Sequence, residues 1–449
     1  MQAFKYITHI YFIGIGGIGM SALARYFKKQ GKTVGGYDRE ETKITQSLAE
    51  EGVLLSYDIS SKAIPKTFLN AENTLVVYTP AISETNEQWQ YFKEQHFLIK
   101  KRAEVLGMIS SNLPTLAIAG THGKTTTTAI LAHLLKQSGY KITAFLGGIS
   151  ENYQSNYIGD GNDVMVVEAD EYDRSFLQLS PDYVGITSTD DDHLDIYQES
   201  KHLQHAFSEF MRKVPDLANV FVTEGVDFEG NKIGFTEGSA YHIKNVSIKN
   251  GNYIFDLETP KVYLEKLEFS LPGRYNLTNA SMAMAMALTF GASPEMLKQA
   301  LKSFTGVDRR FTYHLKTPKV LIEDYAHHPT EIKAVAQAVK EMYPGKETLA
   351  IFQPHLYSRT RDFSKEFSAS LSAFNQVVLL PIYPAREKPI EGVNAAMLLE
   401  KINTKKQLVN KSKLPIIAAQ TTAEVIVVMG AGDIGKEVVN IKAALKHEN

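Results

Sequence analysis

Along the chain, short uninterrupted apolar runs alternate with longer stretches in which apolar residues recur at helical spacing, and that alternation predicts an α/β protein. Residues 8–14 (THIYFIG) read as a buried strand, and glycines lead from it into a helix over 20–27. Strands at Thr33–Tyr37 and Thr74–Tyr78, with a helical pattern over 44–51 between them, extend a parallel sheet. A second series opens at Thr115–Ala119 and continues with 163–167 (DVMVV) and Tyr183–Ile186. Beyond Asn219 the period changes to two. Lys249-Asn250-Gly251 marks a hairpin turn, and Tyr253, Phe255 and Leu257 share one strand face, so a small antiparallel appendage is expected there. An Ala/Met-rich helix over 277–290 follows, and Ser293-Pro294-Glu295 supplies the cap and first turn of another. Strands at 319–322, Thr348–Phe352, 376–380 and 424–429 then repeat the α/β alternation.

Length supports the division. At 449 residues, and about 150 residues per domain, three units are expected. They are a Rossmann-like N-terminal domain (1–107), a central P-loop-type ATPase α/β domain with the antiparallel appendage (108–308), and a C-terminal Rossmann-like α/β domain (309–449). Lys+Arg 48 against Asp+Glu 50 gives a net charge of -2, too balanced for the cationic surface that non-specific nucleic-acid or anionic-membrane binding needs. With no cysteine, disulfides, thiolate metal sites and cysteine nucleophiles are excluded together. No apolar run approaches the ~20 residues of a membrane span and the N-terminus lacks a secretory pattern, so a cytoplasmic protein without membrane insertion is expected.

Candidate chemistry sits after the strands. Gly14, Gly16 and Gly19 have G-x-G-x-x-G spacing between a strand and a helix, where backbone N–H groups can approach a diphosphate at the positive helix end; Asp38 ends the next strand, where a dinucleotide fingerprint would set a ribose ligand. Close helix packing is the other use of such glycines. The second loop, AGTHGKTTTT, carries Gly120, Gly123, Lys124 and Thr125; its N–H groups can cradle phosphates, Lys124 can neutralise the terminal one, and the Thr125 hydroxyl can bind Mg²⁺. Ile118 stands where the full P-loop pattern has its first glycine. Glu168, Asp170, Glu171 and Asp173 crowd the end of the next strand, and two unit charges ~4 Å apart at an effective dielectric near 20 interact by about 4 kcal/mol, so the carboxylates call for a cation. TDDDHLD (189–195) adds His193 and further carboxylates after a third strand. Together the three loops favour an ATP–Mg²⁺ site on the carboxyl edge of a parallel sheet.

Asn276 and Asn279 begin the Ala/Met helix and can cap it or meet a base, while Arg309 and Arg310 can clamp a transferred phosphoryl group or form a surface ion pair. DYAHHPTE (324–331) and HLYSRTR (355–361) also follow strands, and adjacent histidines without thiolates suit substrate positioning better than a structural zinc.

Taken in order, GIGGIGMSALA, AGTHGKTTTT, EADEYDRSF, DHLD, GRYNLTNA, DRRF, DYAHHPTEI, FQPHLYSRTRDF and MGAGDIG resemble the Mur ligases of peptidoglycan synthesis over nearly the whole chain, and most closely their alanine-adding branch. The resemblance implies a UDP-sugar domain, a central ATPase domain and an amino-acid domain, with UDP-N-acetylmuramate, ATP and L-alanine as substrates and Mg²⁺, with Mn²⁺ as a substitute, as cofactor. It turns the first loop from NAD to a UDP-sugar. Gly16, Gly17, Ile18, Gly19, Asp38 and Ser83 would bind that nucleotide. Gly120, Thr121, His122, Gly123, Lys124, Thr125, Thr126, Asn279, Arg310 and Asp324 would bind ATP, with Asn279 at the adenine. Thr125, Glu168 and His193 would hold metal, and Tyr325, His327 and Arg359 the amino acid; Lys124, Glu168, His193, Arg310 and His327 would be catalytic. A monomer or homodimer is expected, with an open form that closes on its substrates.

Three positions depart from the family pattern: Tyr275 where His is frequent, Leu356 where many relatives carry Arg, and Tyr172 where alanine-adding relatives often have Ser. Tyr172 keeps a ligase that attaches a recycled tripeptide as the nearest alternative. A nicotinamide oxidoreductase would use the first loop and leave GKTTTT and EADE idle, and a nucleotide-gated switch would need a partner surface that the sequence does not identify.

Overall fold

The computed structural model describes residues 4–190, 200–385 and 387–446. Three sheets organise it. In the first, β1 (His9–Ile13), β2 (Thr33–Tyr37), β3 (Leu54–Ser56), β4 (Thr74–Tyr78) and β5 (Leu98–Lys101) lie in the order β3-β2-β1-β4-β5, all parallel. β1 is central. Its residues Ile10, Tyr11, Phe12 and Ile13 have no exposed surface, which is why it reads as an unbroken apolar run; β3 and β5, at the edges, are short and partly exposed.

The second sheet comprises β6 (Thr115–Ala119), β7 (Ile142–Ser150), β8 (Ser155–Gly159), β9 (Val164–Glu168), β10 (Tyr183–Ile186), β11 (Val220–Thr223), β12 (Asn231–Gly234), β13 (Tyr241–Lys249), β14 (Asn252–Glu258) and β15 (Tyr263–Phe269). Their order is β15-β14-β13-β12-β11-β10-β6-β9-β7-β8. β6 is fully buried between parallel neighbours β9 and β10, whereas β8 closes one edge antiparallel to β7. The β13–β14 turn has φ of 52° at Asn250 and 79° at Gly251, the left-handed pair that an Asn-Gly hairpin requires.

The third sheet contains β16 (Thr312–Leu315), β17 (Val320–Asp324), β18 (Thr348–Phe352), β19 (Gln376–Leu379), β20 (Lys405–Leu408) and β21 (Val425–Met429), ordered β16-β17-β21-β18-β19-β20 and parallel except for β16. Alternate residues feed two cores: Ile322, Ala350 and Val427 pack on one face, Leu321, Ile351 and Val428 on the other.

The chain forms two compact units, Met1–Asn245 with Phe255–Glu268 and Thr278–Phe304, and Val246–Ile254 with Phe269–Leu277 and Thr305–Asn449. Within the first unit one apolar core continues from Ile10 and Phe12 of the first sheet to Val184 and Val222 of the second. Tyr26, on the helix Ile18–Lys29, bridges them with ring centroids 5.5 Å from Phe145 and 6.1 Å from Tyr157. The helix Arg102–Ser110 runs through residue 107, where the sequence pattern sets a boundary.

Candidate active site

The loops after β6, β9 and β10 leave the carboxyl ends of adjacent parallel strands, the edge at which open α/β sheets bind ligands. Gly123, at φ 81°, turns the first loop into the helix Lys124–Gln137, and a Cβ there would come within 2.7 Å of Asn279 Oδ1. The residue that the resemblance sets at the adenine therefore abuts the phosphate loop itself. Thr121 donates its N–H to Ser188 O (3.1 Å), and its hydroxyl lies 2.9 Å from Ser188 Oγ. His122 donates its N–H to Ser188 Oγ (2.7 Å) and sets its ring 3.4 Å from Asp190. The loop after β10 thus braces the phosphate loop from the side.

Lys124 heads the helix with its ammonium 2.5 Å from Gly120 O and 2.9 Å from both carboxylate oxygens of the fully buried Glu171. Burial opposes its charge, but Glu171, Asp170 and Glu168 outweigh that penalty and hold the ammonium above its ordinary value. It stays a cation, as a phosphate ligand must. Thr125 and Thr126, both buried, follow. The Thr125 hydroxyl donates to Glu168 Oε1 (3.1 Å), and Glu168 Oε2 accepts from Gly147 N (3.0 Å). A hydroxyl and a carboxylate oxygen side by side are the hard donors Mg²⁺ takes from protein when phosphate and water supply the rest, so these residues fit the ion. His193, the third expected ligand, lies outside the described residues; among the described residues no cluster of three or more His, Cys, Asp or Glu forms a metal site.

At the first glycine loop, Asp38 is turned inward: its Oδ2 accepts from Gly16 N (2.7 Å) and its Oδ1 from Arg39 N (2.8 Å), so it shapes the loop directly. The helix Ile18–Lys29 starts at Gly17 without a side-chain cap and without an acidic residue in its first turn, leaving its positive end to an anion. Ser83 is exposed, 2.8 Å from Thr85 Oγ1, and the neighbouring Ile82 would lie 3.1 Å from a Cβ at Gly14. The sequence reading missed Arg102. Its guanidinium would be 3.0 Å from a Cβ at Gly19, and it pairs with Asp170 of the acidic loop at 3.8 Å. A cation on the route from one loop to the other carries no local sequence signal, since Arg102 is distant from both in sequence.

In the second compact unit the loops after β17, β18 and β21 leave adjacent parallel strands in the same way. Arg310 is bracketed by Arg309 (φ 59°) and Phe311 (φ 50°), both in the left-handed region that costs a side-chain-bearing residue roughly 1–2 kcal/mol. Partners hold that turn: Arg309 Nε donates to Glu323 (2.8 Å), and Phe311 N to Asp324 (2.8 Å). Arg310 lies 3.7 Å from Glu331 and 5.2 Å from the Tyr325 ring centroid. Glu331 also accepts from the His327 N–H (2.9 Å) and sits 3.2 Å from its Nδ1. Burial raises the Asp324 carboxyl to about 6, against the pull of Arg310 and with the help of Glu331. His355, stacked on Tyr383, brings its ring 6.1 Å from His327. Arg359 is buried on the helix Tyr357–Asp362, and Leu356 before it is held at φ 71° by a bond from its N–H to Tyr383 O. Arg310 and His327 thus converge on Glu331, with the Tyr325 ring against Arg310 and the Asp324 carboxyl feeling both charges; the sequence signal of Glu331, the fourth position of a helix-capping box from His328, reads only as a helix start.

Three family models cover the chain: the Mur ligase family catalytic domain over residues 9–113, the Mur ligase middle domain over 118–287, and the Mur ligase glutamate ligase domain over 309–432. The chain belongs to the Mur ligase family. Its relatives include the UDP-N-acetylmuramate–L-alanine ligase of Christiangramia forsetii, 54% identical over the full length of both chains, and that of Flavobacterium psychrophilum, 53% identical over 98% of each. The crystal structure of the UDP-N-acetylmuramate–alanine ligase of Thermotoga maritima matches this Mur ligase with a TM-score of 0.82 at 28% identity, covering 98% of this chain and 100% of that one. A murein peptide ligase from Psychrobacter arcticus matches at 0.68 and 20% identity over 98% of each, which shows a shared fold. The three-sheet α/β layout of this Mur ligase is therefore that of its family, and the family is ATP-dependent. Among the described residues no helix is long and apolar enough to cross a membrane.

Proposed function

We propose that this Mur ligase joins L-alanine to the carboxylate of UDP-N-acetylmuramate, with ATP cleaved to ADP and phosphate, in the synthesis of peptidoglycan precursors. The carrying observation is Lys124, a buried cation held by carboxylates at the mouth of a phosphate loop, in a chain that pairs end to end with alanine-adding relatives. A muramyl carboxylate oxygen attacks the ATP γ-phosphorus in line and ADP departs, giving an acyl phosphate. The alanine amine, neutral when it reacts, then attacks the acyl carbon; the tetrahedral intermediate expels phosphate and the nitrogen loses its extra proton. No side chain becomes a covalent nucleophile, so positioning and charge stabilisation carry the rate.

The chain's own residues divide that work. Gly16, Gly17, Ile18, Gly19 and Ser83 receive the UDP-sugar, with Asp38 shaping the loop. Gly120 to Thr126 hold the ATP phosphates, with Lys124 on the terminal one and Asn279 against the loop. Thr125 and Glu168 would hold Mg²⁺, with His193 the family's further candidate, and positive charge against the phosphates is what the ion would supply there. Arg310 and Asp324 act on the nucleotide, and Tyr325, His327 and Arg359 on the amino acid. We place the protein in the cytoplasm as a monomer or homodimer; the lack of cysteine fits a reducing compartment.

The test is a panel of amines offered with ATP and UDP-N-acetylmuramate, reading phosphate and adduct together. L-alanine should give the highest kcat/KM, above glycine, L-serine and the L-alanyl-γ-D-glutamyl tripeptide. A preference for the tripeptide would replace this reading with that of a recycling ligase.

A further inference from the structure

Asn156 lies in β8, an edge strand of the second sheet, with no exposed surface, yet its side chain is spent on the first domain. Its Nδ2 donates to Ile18 O (2.5 Å) and to Ser21 Oγ (2.8 Å), and its Oδ1 accepts from Arg25 Nη1. Ser21 Oγ in turn donates to Ile18 O (3.0 Å), and the Ser21 N–H to Gly17 O (2.9 Å). Arg25, also buried, is completed by Glu51 at 2.8 Å and Ser47 Oγ at 3.0 Å. The surroundings are aromatic, with Tyr26, Phe145 and Tyr157 forming the apolar junction. A polar cluster in such a place is costly unless every member is bonded, and here the Asn156 amide nitrogen spends both of its bonds on the first turn of the helix after the glycine loop.

That turn is the one whose N–H groups would meet the diphosphate on the proposed reading. It has no side-chain cap at Gly17 and no acidic residue among its first positions, so no side chain of the helix occupies its N–H groups, while its carbonyls at Gly17 and Ile18 accept from Ser21 within the helix. Asn156 adds to the Ser21 hydroxyl a second side-chain donor on the Ile18 carbonyl, and it ties that turn to a strand of another domain. We propose that Asn156 is a positioning residue for the UDP-sugar: the central domain pre-orders the N-terminal glycine loop through the Ile18 carbonyl, so that the loop's N–H groups meet the diphosphate without first having to be ordered. This rests on the reading of residues 14–19 as the UDP-sugar loop and adds a residue 138 positions from Ile18 to its support.

Two substitutions separate positioning from mere attachment of the domains. Asn156→Ala removes every bond. Asn156→Asp keeps an oxygen for Arg25 but cannot donate to Ile18 O. Both should raise KM for UDP-N-acetylmuramate about tenfold while KM for ATP and kcat at saturation stay within about twofold. Gly19→Val, which crowds the loop against Arg102, is the control for the loop itself. If Gly19→Val leaves KM for the UDP-sugar unchanged, the assignment of the loop fails; if it raises KM and Asn156→Asp behaves as wild type, the present proposal fails, because the amide then serves only Arg25. A lower melting temperature with all kinetic constants unchanged also overturns it. Should either Asn156 variant not fold, Ser21→Ala removes the other side-chain donor at the same carbonyl, and a partner of the Asn156 amide, with little change of volume, and it should raise KM for the UDP-sugar about threefold; no rise would contradict the proposal.

Discussion

The two glycine loops of the first compact unit have the same strand-loop-helix plan and opposite economies. The phosphate loop carries its own charge: Lys124 sits in the motif, with its counter-ion Glu171 supplied by the loop after the neighbouring strand β9. The first glycine loop, which we assign to the UDP-sugar, carries none. Its shape comes from Asp38 at the end of the neighbouring strand, its nearby cation Arg102 from a helix more than eighty residues on, and its first turn is gripped by Asn156 from the second domain. A loop with an internal cation can act on a reacting phosphoryl; a loop built of backbone N–H groups and borrowed neighbours is suited to hold a diphosphate that does not react.

That contrast can be broken at several points. The largest effect is expected for Lys124→Ala, which should lower ATP-dependent phosphate release by about 10³-fold, the scale of a lost transition-state charge contact, and leave the Kd for UDP-N-acetylmuramate within about twofold. Equal loss of both, by titration calorimetry and a phosphate assay, would mean that the two loops do not divide the work. Next is Glu171→Gln, which leaves Lys124 buried with one carboxylate fewer and should reduce unfolding stability by about 3 kcal/mol in urea titrations without nucleotide.

His133, farther along the phosphate-loop helix, gives a pH test. It is held between the Tyr153 hydroxyl (2.9 Å) and Ser303 Oγ (2.9 Å), and burial lowers it from 6.5 to about 4. Between those values the unfolded chain binds a proton that the folded chain refuses, so stability falls as pH drops. The contribution is ~2 kcal/mol between pH 7 and pH 5, and His133→Gln should flatten that part of the profile. Asp324 has the opposite sign. Its folded-state value of about 6 against 3.8 means that the folded chain takes up the proton first, and stability rises as pH falls from 6 toward 4. The smallest expected effect is Arg102→Ala, which should raise KM for the UDP-sugar about tenfold and leave KM for ATP unchanged if the cation serves the glycine loop.

The same contrast explains what the sequence made legible. β4, β6, β10 and β18 were readable to the residue because each is a buried parallel strand of mainly apolar residues, and β2, TVGGY, was readable from its place between two helical patterns. β3, β5 and β20 were not, because edge strands such as Lys405–Leu408 are short, exposed and without alternation. Lys124, Thr125 and Glu168 were legible since their chemistry lies within a motif, and the structure brings them together. Glu331, Arg102 and Asn156 were not: their roles come from packing between elements far apart in the chain, and in sequence each resembles a cap, a surface charge or a polar strand residue.

The central claim is that triphosphate cleavage at the Lys124 loop drives amide formation on the sugar nucleotide held at the other loop. One measurement tests it most directly: phosphate release followed beside adduct formation by mass spectrometry, with ATP, Mg²⁺, UDP-N-acetylmuramate and L-alanine present and each omitted in turn. One phosphate per amide, with sustained turnover only in the complete mixture, is the predicted result. Phosphate released steadily without the sugar nucleotide, or no adduct in the complete mixture, would contradict it.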